Sequence, residues 1–125
     1  MTLTHDAPGQ DLTAWQSWLD AWNRHDLEAI LAHYAEDVTF TSRAVIELGA
    51  DPSGSITGKT ALRHVLATGL HADPELRFVP LHAFVGVGEH ALHYIGFRRR
   101  SVIEVHALDP RGKIVAARAY HGPRP

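Results

Sequence analysis

The chain contains no cysteine among its 125 residues. That one absence excludes disulfides, thiolate nucleophiles and cysteine-ligated metals together. Long hydrophobic runs are missing too. No stretch approaches the ~20 apolar residues that span a bilayer, and residues 1–10, with Pro8 and Gly9, lack the apolar centre of a signal sequence. The expectation is a cytoplasmic protein that does not engage membranes. Charge of either sign is scarce: 12 basic and 14 acidic residues leave −2, too little to favour nucleic acid as a partner. The one dense basic patch is Arg98-Arg99-Arg100. It reads as a solvated rim, with an anion or carboxylate clamp at a pocket mouth as the alternative. Linkers, repeats and low-complexity segments are also lacking.

What is present suits one folded unit. Hydrophobic residues make up 45%, ordinary for a soluble domain of this length. The expected division is a flexible N-terminal segment at 1–10, a single domain at 11–122 and a tail at 123–125. Ten histidines stand out; those facing an interior would titrate usefully near neutrality.

Asp11 is a plausible cap for a first helix ending near Asn23, with Trp15, Trp18, Leu19 and Trp22 on one face. Asp26 caps a second helix, whose Leu27, Ile30, Leu31 and Tyr34 repeat the spacing and which ends in Tyr34-Ala35-Glu36-Asp37. A strand follows, with Val38, Phe40 and Ser42 on one face and Thr39, Thr41 and Arg43 on the other. Residues 49–55 read as irregular loop. A third helix is expected over Lys59 to Gly69, burying Leu62, Val65, Leu66 and Leu70. From Leu76 the period changes to that of strands, near Leu76–Val85, Ala91–Phe97, Val102–Leu108 and Lys113–His121. Residues 86–89 and 109–112 are turns by composition. Helices first and a meander after predict an α+β class.

Several segments together resemble the nuclear transport factor 2-like superfamily, in its SnoaL-like branch: Trp22-Asn23-Arg24-His25-Asp26-Leu27, Tyr34-Ala35-Glu36-Asp37-Val38, Gly58-Lys59-Thr60-Ala61-Leu62-Arg63, Pro74-Glu75-Leu76-Arg77-Phe78 and Asp109-Pro110-Arg111-Gly112-Lys113-Ile114. Their order carries the resemblance. It implies a cone-shaped, curved antiparallel or mixed sheet packed on three helices from the N-terminal half, a pocket between sheet and helices, and a homodimer formed through the sheet. Relatives include ketosteroid isomerase, scytalone dehydratase, limonene epoxide hydrolase and polyketide cyclases, alongside binding and transport proteins, so the fold leaves function open. Ketosteroid isomerase uses a carboxylate base with a tyrosine and a protonated aspartic acid as oxyanion donors. By alignment the tyrosine position falls on Trp18, the base on Ser42 and the protonated acid near Glu104. A serine hydroxyl is no base near neutral pH, so steroid isomerisation by that route is not expected.

The resemblance turns Glu104 and His106 inward with Ala117, Ala119 and His121, and Val102 and Leu108 share that face. The opposite assignment, with the apolar Ile103, Val105 and Ala107 inside, competes with it. Facing inward, Glu104 and His106 would hold and deliver a proton, as enolisation, dehydration or aldol cyclisation requires. His121 would be a second acid/base group or a fraying terminus. Tyr94 and His93 must take opposite faces; His90, His33 and His25 read as surface residues. Convergence of Glu104, His106, His121 and His93 on a metal is a minor alternative, and neither a metal nor a cofactor is expected. Three functions follow. The first is a cofactor-independent acid/base enzyme for a small apolar oxygenated ligand: Glu104 and His106 act on it, Trp18, Ser42 and His121 orient it, and Val38, Phe40, Leu92, Ala117 and Ala119 complete the wall. The second is a binding protein without turnover. The third is a dimeric interaction module with a filled cavity.

Overall fold

The structure, a computed structural model, describes residues 6–123, with side chains from Trp15 onward. Of the expected flexible start at 1–10 and tail at 123–125, residues 1–5 and 124–125 lie outside the described residues, while 6–10 are helical. Helix α1 (Asp6–Asn23) begins a turn before the expected Asp11. Its Trp15, Trp18, Leu19 and Trp22 are buried, as one apolar stripe requires. Asn23 then closes on the far end of the fold. Its amide donates to the Phe78 carbonyl (3.0 Å) and its side-chain oxygen accepts from the Phe78 N–H (2.7 Å). His25, in the left-handed region at φ 56°, pairs with the Leu76 carbonyl at 2.7 Å. The turn that looked like surface is a clamp.

Helix α2 (Leu27–Leu31) starts at Asp26, whose carboxylate accepts from the Ala29 N–H. It stops well before Asp37. Tyr34 opens strand β1 (Tyr34–Thr41), aligned in parallel with Ile114, and the Ile114 N–H donates to the His33 carbonyl. The spacing of Leu27, Ile30, Leu31 and Tyr34 satisfied a helix, yet Tyr34 is buried equally well by alternation in a strand with a bulge before Thr39. Asp37 thus lies in a strand and ends no helix. Ser42 leaves β1 and caps a short helix, α3 (Arg43–Glu47), by accepting from the Ala44 N–H at 3.1 Å. This fourth helix was not expected, because Val45 and Ile46 favour strands locally. Burial of Val45 selects the helix. Strand β2 (Ser55–Thr57) emerges from the expected loop and pairs with β1.

Helix α4 (Lys59–Ala72) buries Leu62, Val65, Leu66 and Gly69, with Leu70 only partly covered. Strands β3 (Val79–Val85), β4 (Glu89–Ile95), β5 (Ser101–Leu108) and β6 (Ile114–His121) complete a curved six-stranded sheet. Its order is β2-β1-β6-β5-β4-β3, antiparallel except for β1 with β6. Between β4 and β5 a 3-10 turn (Phe97–Arg99) carries Arg98 and Arg99 at positive φ. At the next turn the Asp109 carboxylate accepts from the Arg111 and Lys113 N–H groups, an Asx turn that aims β6 back along β5. One sheet face packs against α1 and α4, and the fold is α+β with a mixed sheet.

Candidate functional site

The site begins with alternation on β5. Val102, Glu104 and His106 are buried and Ile103 is half exposed, so the Glu104/His106 face points inward. The register explains how a carboxylate and an imidazole fit there. Glu104 lies between Leu92 on β4 and Ala119 on β6, and His106 between His90 and Ala117. On β6 two alanines leave space beside the two polar side chains.

A hydrogen-bonded row follows. The Tyr94 hydroxyl donates to Glu104 Oε1 at 2.6 Å, and His106 Nε2 meets Glu104 Oε2 at 2.8 Å. A carboxylate only accepts, so His106 carries its proton on Nε2. His90 Nε2 stands a long 3.4 Å from His106 Nδ1, and His90 Nδ1 is left without a partner. Burial, then neighbouring His106, pushes His90 down to about 4, leaving it neutral at neutral pH. Burial first, then Glu104, raises Tyr94 well above the usual phenol value, so it remains a donor. Trp15 stacks on His106 at 4.5 Å and Trp18 meets it edge-on at 5.2 Å. His106 is fixed from every side.

Glu104 opens onto a cavity between sheet and helices. About 60 Å³ of it is reachable by the centre of a water molecule. Leu48, Val65, Leu66 and Gly69 come from the helical side, Phe40 and Ala119 from the sheet, and Trp22, Leu76, Phe78 and Phe97 close the ends. The polar groups on this wall are Ser42, Tyr94, Glu104 and His121. Ser42 Oγ uses an oxygen lone pair on its helix cap and keeps its O–H free to donate. His121 is half-buried with Nδ1 unpartnered. Burial, then the Arg100 guanidinium, lowers its pKa and favours neutral imidazole.

Of the residues singled out from sequence, Glu104, His121, Phe40, Ser42 and Ala119 meet at this cavity. His106 stands behind Glu104. It lines a second, smaller cavity of about 30 Å³ with Trp15, Trp18, His33 and His90. The expected place of Trp18 on the main wall is corrected: its indole N–H donates to the Tyr34 hydroxyl at 3.0 Å, anchoring it in the core. Val38, Leu92 and Ala117 are likewise buried core, outside the main wall. Two further residues complete the row: Tyr94, left open against His93 in the sequence, and His90, which read as surface. The signal was there, since His90, Leu92 and Tyr94 alternate on β4 and a buried Leu92 carries both inward. Among the described residues, no group of three or more His, Asp or Glu side chains is arranged to hold a metal ion.

A family model described as the SnoaL-like domain matches residues 15–121. The chain belongs to the SnoaL-like family. Among solved members, a SnoaL-like protein of unknown function from Burkholderia thailandensis is 33% identical, with a TM-score of 0.85 over 95% of this chain and 98% of that one. RV0760c from Mycobacterium tuberculosis is 26% identical with a TM-score of 0.70, over 87% of this chain and 91% of that one; it has also been crystallised with estradiol-17β-hemisuccinate. SalBIII, an epoxide hydrolase/cyclase-like enzyme of pyran ring formation in salinomycin, is 21% identical with a TM-score of 0.71, over 94% of this chain and 93% of that one. At that identity the likeness is one of fold. No curated protein matches the chain. The SnoaL-like fold hosts isomerases, cyclases and ligand binders, so chemistry must be argued from this chain's own cavity.

Proposed function

We propose that this SnoaL-like chain is a cofactor-independent acid/base enzyme of the isomerase, dehydratase or cyclase type, acting on a small, mostly apolar, oxygenated substrate. The observation that carries the reading is Glu104: a carboxylate on the wall of an apolar cavity, aimed by Tyr94 and His106. A substrate C–H acidified by an adjacent carbonyl would give its proton to Glu104. Ser42 O–H and a ring N–H of His121 supply donors for the developing oxyanion. Glu104 then returns the proton to a different atom of the substrate, or to a leaving oxygen. His106 acts through Glu104 as a positioning residue, because it meets the second cavity and not the first. A positioned acid/base group contributes ~10²–10⁴-fold in rate.

The test is solvent-deuterium exchange at the α-carbon of small cyclic ketones (cyclohexanone, 2-cyclohexenone and α-tetralone), followed by proton NMR. Wild type accelerates exchange and Glu104→Gln loses ~10²-fold or more. Exchange at the buffer rate with every ketone overturns the enzymatic reading. The second reading, binding without turnover, is favoured by the small cavity and by the absence of any acid at Ser42. Stabilisation by a ketone without exchange supports it.

The proposal includes a homodimer. Phe84, Ile103 and Tyr120 lie on the outer sheet face, each about half exposed, and strand registers place Ile103 beside Tyr120 and two strands from Phe84. Among the described residues no helix is long and apolar enough to cross a membrane; a cytoplasmic location remains part of the proposal.

A further inference from the structure

Beside the main cavity lies an open recess lined by Arg43, Arg100, His121, Gly122 and Pro123. The two share the His121 wall, and Arg43 sits between Ser42 and Ala44 of the cavity lining. Three guanidinium groups gather here around one carboxylate. Arg100 bonds Glu47 at 2.9 Å, while Arg43 and Arg98 stand 3.9 Å from it. Glu47 balances one positive charge and two are left over. Arg100 and Glu47 are mostly covered, fixing the base of the recess, whereas the Arg43 side chain is 67% exposed and free to reach a ligand. Arginine forks match carboxylate geometry, and their planes are preorganised for it. Glu104, on the cavity wall, repels an anion from the interior and leaves the rim as its place.

We propose that the ligand is an amphipathic carboxylate: its carboxylate is held by Arg43 and Arg100 in the recess, and its apolar body passes His121 into the cavity toward Glu104. The inference rests on the cavity being a ligand site, as proposed above, and it narrows the substrate class. It also gives a purpose to Arg100 of the basic run, which binding of Glu47 alone does not exhaust.

The experiment is calorimetric titration of the full-length protein with octanoate and with octanamide, which differ in charge and little in shape. Wild type binds octanoate about tenfold more tightly than octanamide, the worth of a partly exposed charge-assisted hydrogen bond. Arg43→Gln, at an exposed position, loses that preference by weakening octanoate far more than octanamide. Glu47→Gln frees Arg100 and tightens octanoate severalfold. The opposite signs separate a clamp from a merely structural cluster, in which both variants would weaken both probes. If the probes bind equally and neither variant discriminates, the clamp is overturned while the cavity reading stands. If neither probe binds wild type, the clamp is overturned, and ketone exchange decides the cavity reading separately.

Discussion

Replacing Glu104 by leucine puts two large effects in opposition. The Tyr94 hydroxyl and the His106 ring N–H both donate to this carboxylate, and their side chains are 4% and 1% exposed. Leucine supplies no acceptor in its place. Each orphaned donor costs about 1–3 kcal/mol. Against this stands the desolvation of the carboxylate itself, which the variant no longer bears. Removing one partner of a buried charged cluster is typically a net loss of about 3–5 kcal/mol, a large share of the ~5–15 kcal/mol holding a domain together. Glu104→Leu should therefore lose about 3 kcal/mol. The triple variant Tyr94→Phe, Glu104→Leu, His106→Leu removes acceptor and donors together, and His90 forfeits only its long 3.4 Å partner. That variant should match wild type or exceed it by about 1–3 kcal/mol, as apolar replacement of buried charged networks often does. Urea unfolding at pH 7, with midpoint and slope compared, reads both. A single variant as stable as wild type, or a triple variant destabilised by the sum of its parts, would mean that the buried cluster carries no such opposing costs. Taken with the proposed chemistry, the first pattern means that the cluster costs stability and is kept for what it does.

Three further outcomes are expected. His90 is depressed from its ordinary 6.5 to about 4; below pH 6.5 the unfolded chain binds protons the folded chain refuses. Its effect on stability is nil above pH 6.5, grows as pH falls toward 4 and then levels off, at up to ~1.4 kcal/mol per pH unit. His33 and His121, both lowered by burial first, act in the same direction. Urea midpoints between pH 7 and 4.5 should fall less steeply for His90→Gln than for wild type; identical slopes would contradict this. At Gly96 an added Cβ would stand 2.5 Å from a ring carbon of Tyr94, so Gly96→Ala should cost about 1–3 kcal/mol and displace the Tyr94 donor, measured by unfolding and by the Tyr94 ring resonances. Ile103→Glu on the outer sheet face should convert dimer to monomer by light scattering without loss of helical circular dichroism; a wild type that is monomeric throughout would remove the dimer from the account.

The broad architecture was legible because its signals are strong and mutually consistent. Three tryptophans and a leucine at helical spacing leave little choice for α1, and the change of period after Leu76 marks the meander. Errors fell where two periods agree. Tyr34 completes a helical stripe and also starts an alternating strand, and only pairing with Ile114 decides between them. Val45 and Ile46 favour strand locally, and burial of Val45 behind the Ser42 cap overrides them. In the site, alternation on β5 predicted that Glu104 and His106 share a face, but either face was compatible with a barrel core. The remaining details are tertiary. That Trp18 spends its donor on Tyr34, and that His106 opens behind Glu104 and not beside it, depends on residues far apart in the chain. Clustering of Arg43, Arg98 and Arg100 around Glu47 is equally invisible in sequence. Only the Arg98-Arg99-Arg100 run hinted at it.

Whether Glu104 is the acid/base group is decided by α-carbon deuterium exchange of a ketone that the protein is shown to bind, with wild type and Glu104→Gln compared at matched saturation. Affinity should be equal within about threefold, and exchange slower by ~10²-fold or more in the variant. Exchange that persists at the wild-type rate without the Glu104 carboxylate would contradict it.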